Sequence, residues 1–148
     1  MPAPGSLITV DYQVELQGVL MGALTKINLA PPGIKGLGVF TPKSADVALD
    51  LADGSYSAPE FQASRIITVP MVILGDTPAD AMSILSGLNV AWSPVAADVP
   101  IYMQLPGFGK FHALGRPRGL DEHLEHLRAG VIDVLGTFFC PNPTVTPG

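Results

Sequence analysis

Arg65-Ile-Ile-Thr-Val-Pro-Met-Val-Ile-Leu74 is the stretch that decides the fold of this chain. It is an apolar, β-branched run of strand length, and both of its faces are largely apolar, which predicts a strand covered on two sides. Pro70 has no N–H to donate to a neighbouring strand, so we expect an edge position or a bulge there. Gly75 and Asp76 end the strand.

The next residues predict a helix over about 77–92. Thr77-Pro78-Ala79-Asp80 is a typical helix start, because a threonine cap, a proline in the first turn and an acidic residue three positions after the cap each favour one. An apolar stripe at helical spacing follows: Ala81, Ile84, Leu85, Leu88 and Trp92. Pro94 prevents the helix from continuing.

Strands are predicted on both sides of this unit. The first strand on the N-terminal side is Leu7–Leu16, with a solvent-exposed face that includes Gln13 and Glu15. The second is Val19–Leu29, with a turn at Gly18 before it and a bend at Gly22. The breakers in 31–38 predict a loop, 45–51 is ambiguous between strand and helix, and Asp53-Gly54 predicts a turn that 55–60 continues.

The C-terminal half predicts a hairpin and a closing strand. The hairpin joins Val99–Leu105 to Lys110–Gly115 through a turn at 106–109, and a basic kink follows at 116–119. Residues 121–128 are either a turn of helix or a hairpin crossing, and Gly130–Cys140 is the last strand. We therefore predict a mainly β (α+β) fold, an antiparallel β-sandwich with one flanking helix. Residues 1–140 form its single domain, and 141–148 are a Pro-rich tail or linker.

Composition predicts a surface covered by other subunits. Only 14% of the 148 residues are charged and 47% are hydrophobic, against about 25% charged in an average domain. A membrane is not expected to provide the cover, because no run of about 18 apolar residues exists and residues 1–6 do not resemble a signal peptide. The net charge of −5 does not favour binding to nucleic-acid phosphates. Self-association remains as the prediction.

The sequence predicts no catalytic, cofactor-binding or metal site. His123 and His126 lie three residues apart among acidic residues, but no third ligand has suitable spacing, so a solvated polar turn is favoured. His112 is expected to be a packing or edge residue, and Cys140 a small buried hydrophobe. Residues 107–110 resemble a phosphate loop only in part, and a hairpin turn explains them.

Five residues are candidates for contacts between subunits: Arg65, Pro70, Arg116, Arg118 and Arg128. Arginine is favoured at such contacts because its planar guanidinium binds a carboxylate through two hydrogen bonds. The 13 acidic residues of the chain offer partners, although a solvated surface position is an equal alternative for each arginine.

The order of elements after residue 60 resembles the N-terminal domain of siphophage distal tail proteins and the related minor tail proteins. The elements are the strand 65–74, the capped helix that ends at Trp92-Ser-Pro, the hairpin, Gly115-Arg-Pro-Arg-Gly119, the polar segment, Gly130-Val-Ile-Asp-Val-Leu-Gly-Thr-Phe-Phe139 and Asn142-Pro143. The resemblance covers residues 60–143, and the first 60 residues only loosely. Many family members have Asp-Pro where this chain has Asn142-Pro143.

The resemblance implies a fold shared with tail tube proteins and a non-enzymatic role in the virion. Six copies would form a ring around the DNA channel, assembled in the host cytoplasm, that joins the tail tube to the tail-tip or host-attachment proteins. The implied partners are tube, tail-tip hub and tape-measure proteins, with DNA passing only transiently and without a cofactor. Many distal tail proteins carry a second domain after this one. The alternatives are a tube protein that stacks into a tube and a β-sandwich module that binds carbohydrate or protein.

Overall fold

The computed structural model describes residues 3–31, 33–37, 42–43, 47–48, 55–56, 61–62, 64–142 and 144–148. Its elements are β1 Gln13–Leu16, β2 Val19–Gly22, β3 Ile27–Leu29, β4 Pro42–Lys43, β5 Val47–Ala48, β6 Ser55–Tyr56, β7 Phe61–Gln62, β8 Arg65–Leu74, α1 Pro78–Ala91, β9 Val99–Leu105, β10 Gly109–His123, β11 Val131–Cys140 and β12 Val145–Pro147. The predicted fold class, mainly β with a single α-helix among the described residues, is confirmed.

The main sheet is antiparallel and nearly closed, in the order β2-β1-β9-β10-β11-β8-β3, with β12 also paired to β10. Strand β10 joins its two halves. It pairs with β9 up to Gly115 and with β11 from Arg116 onward, with a bulge between Pro117 and Gly119. The predicted basic kink is therefore a bend inside one 15-residue strand, which is longer than the predicted Lys110–Gly115. The two small ladders β4-β7 and β5-β6 lie outside this sheet.

The helix begins and ends close to the predicted residues. The hydroxyl of Thr77 accepts a hydrogen bond from the backbone N–H of Asp80, as the cap pattern predicts. The ammonium of Lys26, in the turn before β3, lies 3.0 Å from Asp76 and 2.9 Å from Asp80. Its hydrogen bond to Asp80 lowers the pKa of that carboxyl group. The helix start is thus held to the β2–β3 turn.

The helix packs against the core face of the sheet. Its buried residues and Trp92 belong to one hydrophobic cluster with the inward residues of β8, β9, β10 and β11. A Cβ added at Gly136 would lie 2.7 Å from the indole of Trp92, so the strand has no side chain where the ring sits. Cys140 is fully buried, as predicted, and the burial raises the pKa of its thiol to about 11.

The N-terminal segment corrects two predictions. Only Gln13–Leu16 of the predicted strand 7–16 is a strand, and Tyr12 before it has a left-handed backbone with φ 64°. The Glu15 carboxylate accepts hydrogen bonds from the N–H groups of Gly5 and Leu7, and the Gln13 amide oxygen accepts them from Thr9 and Val10. The face of this strand that was predicted to be solvent-exposed is therefore buried under residues 5–10.

Glu15→Ala is expected to release residues 5–10 from the sheet and to lower the free energy of unfolding by about 2 kcal/mol, because two N–H groups lose a charged acceptor. Amide hydrogen exchange should quicken at Gly5 and Leu7 but not in β11. Glu122→Ala, an exposed glutamate on β10, is the matched control. Unchanged exchange at residues 5–7 would refute this account of the segment.

Strand β8 is not at an edge, which corrects the prediction made from Pro70. It lies between β11 and β3, and its register with β11 continues without a bulge from residue 65 to 74. Pro70 faces Ala30, which donates its N–H to the Pro70 carbonyl oxygen. The Ala30 carbonyl accepts instead from the N–H of Gly33, in a turn. The missing N–H of Pro70 therefore leaves no acceptor unpaired on this side, because the Ala30 carbonyl oxygen opposite it already accepts from Gly33.

The remaining predictions meet mixed outcomes. The run 19–29 forms two strands, β2 and β3, because Gly22 (φ 102°) turns the chain where a Cβ would lie 2.0 Å from the Tyr12 carbonyl oxygen. In the segment predicted as a tail or linker, Val145–Pro147 pairs with β10. Residues 47–48 and 55–56 pair as strands, while the rest of 45–51, the turn 53–54 and 57–60 lie outside the described residues.

The described helix is too short to span a membrane.

Candidate interaction surface

Strands β8 and β11 turn one row of side chains toward the core and the other row away from it. We call the second row the outer face; it consists of Ile66, Thr68, Pro70, Val72 and Leu74 on β8 and Val131, Asp133, Leu135, Thr137 and Phe139 on β11. Cross-strand register places apolar residues opposite one another at three levels: Ile66 with Phe139, Pro70 with Leu135, and Leu74 with Val131. Such pairs stabilise a sheet, and here they form an apolar band that is interrupted by Thr68 opposite Thr137 and by Asp133 opposite Val72.

This band is not covered by the described part of the chain. Ile66, Leu74 and Leu135 are 47%, 42% and 38% exposed. Contiguous apolar surface of this kind is uncommon on monomers and marks contact sites. The other half of the sheet differs, because Gln13 and Glu15 on its outward side are buried under the N-terminal segment. Exposed apolar side chains also occur elsewhere among the described residues, as at Leu24, Phe108 and Leu114, but on β8 and β11 they recur along two neighbouring strands.

The candidate arginines fall into two groups. Arg65 is buried, and its guanidinium donates to the Gly36 carbonyl oxygen at 2.6 Å, within the chain. Arg116 is half-exposed and lies 3.0 Å from Asp98. The Arg118 guanidinium lies 4.8 Å from the ring centre of Phe139, and Arg128 is exposed in the 3-10 turn Leu127–Ala129 at the hairpin tip. Their roles between subunits remain predictions; Arg116, Arg118 and Arg128 are the accessible ones.

Charge is distributed unevenly along the outer face. Arg116 and Arg118 lie at the end of the face where Phe139 is, and Arg116 is paired there with Asp98, whereas Asp121, opposite Leu135, and Asp133 lie toward the hairpin tip. At about 3.3 Å per residue, the basic and acidic ends are roughly 20 Å apart.

The described residues offer little for catalysis. The Cys140 thiol is buried with a raised pKa, so it is not a thiolate at neutral pH. His112 packs against Tyr102, with ring centres 4.9 Å apart, as the packing prediction expects. A cavity of about 270 Å³ lies beside Glu15, but that carboxylate already accepts from two N–H groups. The residues that line this cavity are mainly apolar.

One group of metal-ligating types is brought together that the sequence did not predict: Glu125, His126 and Asp133. His123, the other histidine of the predicted pair, is outside this group, although it lies opposite Asp133 in the β10–β11 register. The spacing of the histidines does not indicate Asp133, because Asp133 comes from the next strand. Pairing 121–128 with the closing strand as a hairpin would have located it.

No protein-family model and no curated protein matches the chain. Among solved structures, the Dit protein (gp 19.1) of SPP1, described as a paradigm of the hub adsorption apparatus in phages that infect Gram-positive bacteria, is similar with a TM-score of 0.68 and 22% identity. The match covers 91% of this chain and 52% of that one, so this chain spans about half the length of Dit. A chain from the tail of an empty GTA particle, determined with C6 symmetry, has a TM-score of 0.49 and 13% identity and covers 93% of this chain and 96% of that one. The similarity to Dit confirms, as a shared fold, the predicted resemblance to distal tail proteins.

Proposed function

We propose that the chain is a structural subunit of a phage tail that assembles into a ring through the outer face. The observation that carries this proposal is the uncovered apolar band of β8 and β11, in a fold shared with the Dit protein of SPP1. Burying a leucine or isoleucine side chain contributes about 1.5–3 kcal/mol when it leaves water. Ile66, Leu74 and Leu135 are 47%, 42% and 38% exposed, so a neighbouring copy that covers them gains somewhat less than half of such a contribution at each.

The outer face is suited to a neighbouring subunit and not to a DNA channel. A channel wall must let a polyanion slide, so it favours a hydrated and negatively charged surface. The net charge of −5 is compatible with such a wall elsewhere on the subunit. A ring needs a head-to-tail contact, in which the outer face of one copy meets a different surface of the next copy, because contact between two outer faces would be two-fold and would close as a dimer. This head-to-tail arrangement closes into a ring when the rotation between copies divides a full turn.

In the assembled tail, the proposed ring has six copies, surrounds the DNA channel and joins the tail tube to the tail tip or host-attachment apparatus. Its partners are other tail proteins (tube, tip hub and tape measure), and DNA passes without specific contacts. The proposed role is that of a scaffold and not of an enzyme, since it is carried out by contact surfaces. It would be assembled in the host cytoplasm and function in the virion.

Native mass spectrometry and negative-stain electron microscopy of the purified chain test this proposal. We expect a discrete closed oligomer, with six copies as the predicted mass, and isolated rings in the images. Long stacked tubes would favour the tail-tube alternative. A monomer that persists at high micromolar concentration would refute self-assembly and favour a binding module, for which glycan and host-surface binding assays are the next measurement.

A further inference from the structure

The hairpin tip between β10 and β11 gathers ligand-type side chains from both of its strands and from the turn. One ligand atom from each of Glu125, His126 and Asp133 lies within 4.8 Å of the other two. The Nε2 atom of His126 is 3.9 Å from the Glu125 carboxylate. His123 is the cross-strand partner of Asp133, so their Cβ atoms are about 5 Å apart. The Nε2 atom of His123 lies 3.8 Å from the Asp121 carboxylate. Two imidazoles and three carboxylates therefore share one end of the hairpin.

The charges of this group are not balanced by the described residues. Asp133 is the one charged side chain on the outer face, where aspartate is disfavoured, and it makes no hydrogen bond or ion pair within the described part of the chain. Among the described residues, Lys26 and Arg116 form ion pairs with carboxylates. Neither of these two side chains pairs with Glu125 or Asp133. Two neighbouring carboxylates repel each other, and a bound cation relieves the repulsion.

We propose that this group is a binding site for a divalent transition-metal ion of the zinc class, with Glu125, His126 and Asp133 as ligands and His123 as a fourth. Imidazole nitrogen and carboxylate oxygen are ligands that zinc, cobalt and nickel accept. Around an ion with bonds of 2.0–2.1 Å, neighbouring ligand atoms are about 3.3 Å apart. Rotation of the exposed Glu125 and His126 side chains toward Asp133 closes the remaining gap.

A bound ion would join the turn after β10 to the first residues of β11. Residues 125 and 126 lie in the turn, whereas Asp133 lies within the strand, so coordination would cross-link two segments that contact each other mainly through the backbone at Gly130 and Val131. The ion would also neutralise the acidic end of the outer face. The proposal does not depend on ring formation, since all four ligands belong to one chain.

Isothermal titration calorimetry with zinc chloride, on chelator-treated protein without a histidine tag, tests the site. We expect saturation at one zinc per chain with micromolar affinity. His126→Ala and Glu125→Gln should each weaken binding by tenfold or more. His112→Ala, which removes a histidine from the other half of the sheet, is the control and should bind as the unaltered chain does. Glu125 is exposed, so its variant is expected to fold.

Cobalt absorption and Asp133→Asn complete the test. A visible cobalt spectrum that is lost in Asp133→Asn supports coordination by the strand residue, and circular dichroism checks that this variant is folded. Non-saturating binding, or equal affinity in His126→Ala, overturns the proposal. The titration is repeated on Leu135→Glu, a variant expected not to assemble. Equal zinc affinity in this variant would show that the site does not depend on ring formation.

Discussion

Leu135→Glu is expected to convert the assembled ring into folded monomers. Leu135 lies at the centre of the outer face, opposite Pro70, and is 38% exposed in the isolated chain. In a covered interface a glutamate at this position would be a buried, unpaired charge. Substitutions at such central positions cost about 2–4 kcal/mol per interface, which corresponds to roughly a 30- to 1,000-fold weaker association. Each subunit in a closed ring has two interfaces, so the loss should be visible in native mass spectra.

The fold of the monomer should survive this change. The Leu135 side chain points away from the core, and solvent can accept a charge there when no neighbour covers it. Val90→Glu is the matched control, because Val90 is 73% exposed on the outward side of α1 and away from the outer face. The control should leave the oligomer intact. Rings of normal mass in Leu135→Glu would show that the outer face is not the contact between subunits.

Gly115→Ala is expected to lower the free energy of unfolding by about 3 kcal/mol or more. Gly115 is the residue at which β10 leaves β9 for β11. An added Cβ would lie 2.1 Å from the carbonyl oxygen of Phe139 and 2.9 Å from the Cα of Cys140, which are backbone atoms that cannot move aside locally. The two halves of the sheet would have to separate where a single strand joins them.

A glycine in a different setting provides the control for this change. Gly87 lies within α1, and a Cβ there meets no atom within 4 Å. Gly87→Ala should therefore stabilise the protein by about 0.5–1 kcal/mol, since alanine has the better helix propensity. Chemical denaturation of both variants measures the two effects with opposite signs. A Gly115→Ala midpoint equal to that of the unaltered chain would contradict the close approach of β10 and β11.

Local sequence patterns correctly predicted the elements whose ends depend on residues close to them in the sequence. The helix was located by the Thr77 cap, the apolar stripe and Pro94, and it runs from Pro78 to Ala91. Strand β8 has the predicted ends, and β11 begins one residue after its predicted start, because both are continuous apolar runs bounded by breakers. These features depend on cap chemistry and periodicity, which are properties of the sequence alone.

The candidate site was predicted less completely. A surface covered by other subunits was expected from the low charge content and from two-faced strands; exposed apolar side chains lie on the outer face of β8 and β11, and their coverage by another subunit stays a prediction. Arg65 was proposed with the accessible arginines but is buried within the chain. The composition states how much apolar surface must be covered. It does not state which residues the chain itself covers, because that depends on contacts between segments far apart in sequence.

By itself, the sequence determined the helix, the two strongest strands and the excess of apolar surface, since each follows from residues within one short window. Tertiary structure alone decided the rest. Residues 5–10 pack on the sheet because Glu15 and Gln13 accept their N–H groups, and Pro70 is tolerated inside the sheet because Gly33 occupies the opposite acceptor. Asp133 reaches His126 only through hairpin pairing. In each case the partner is set by three-dimensional proximity, which the local sequence does not encode.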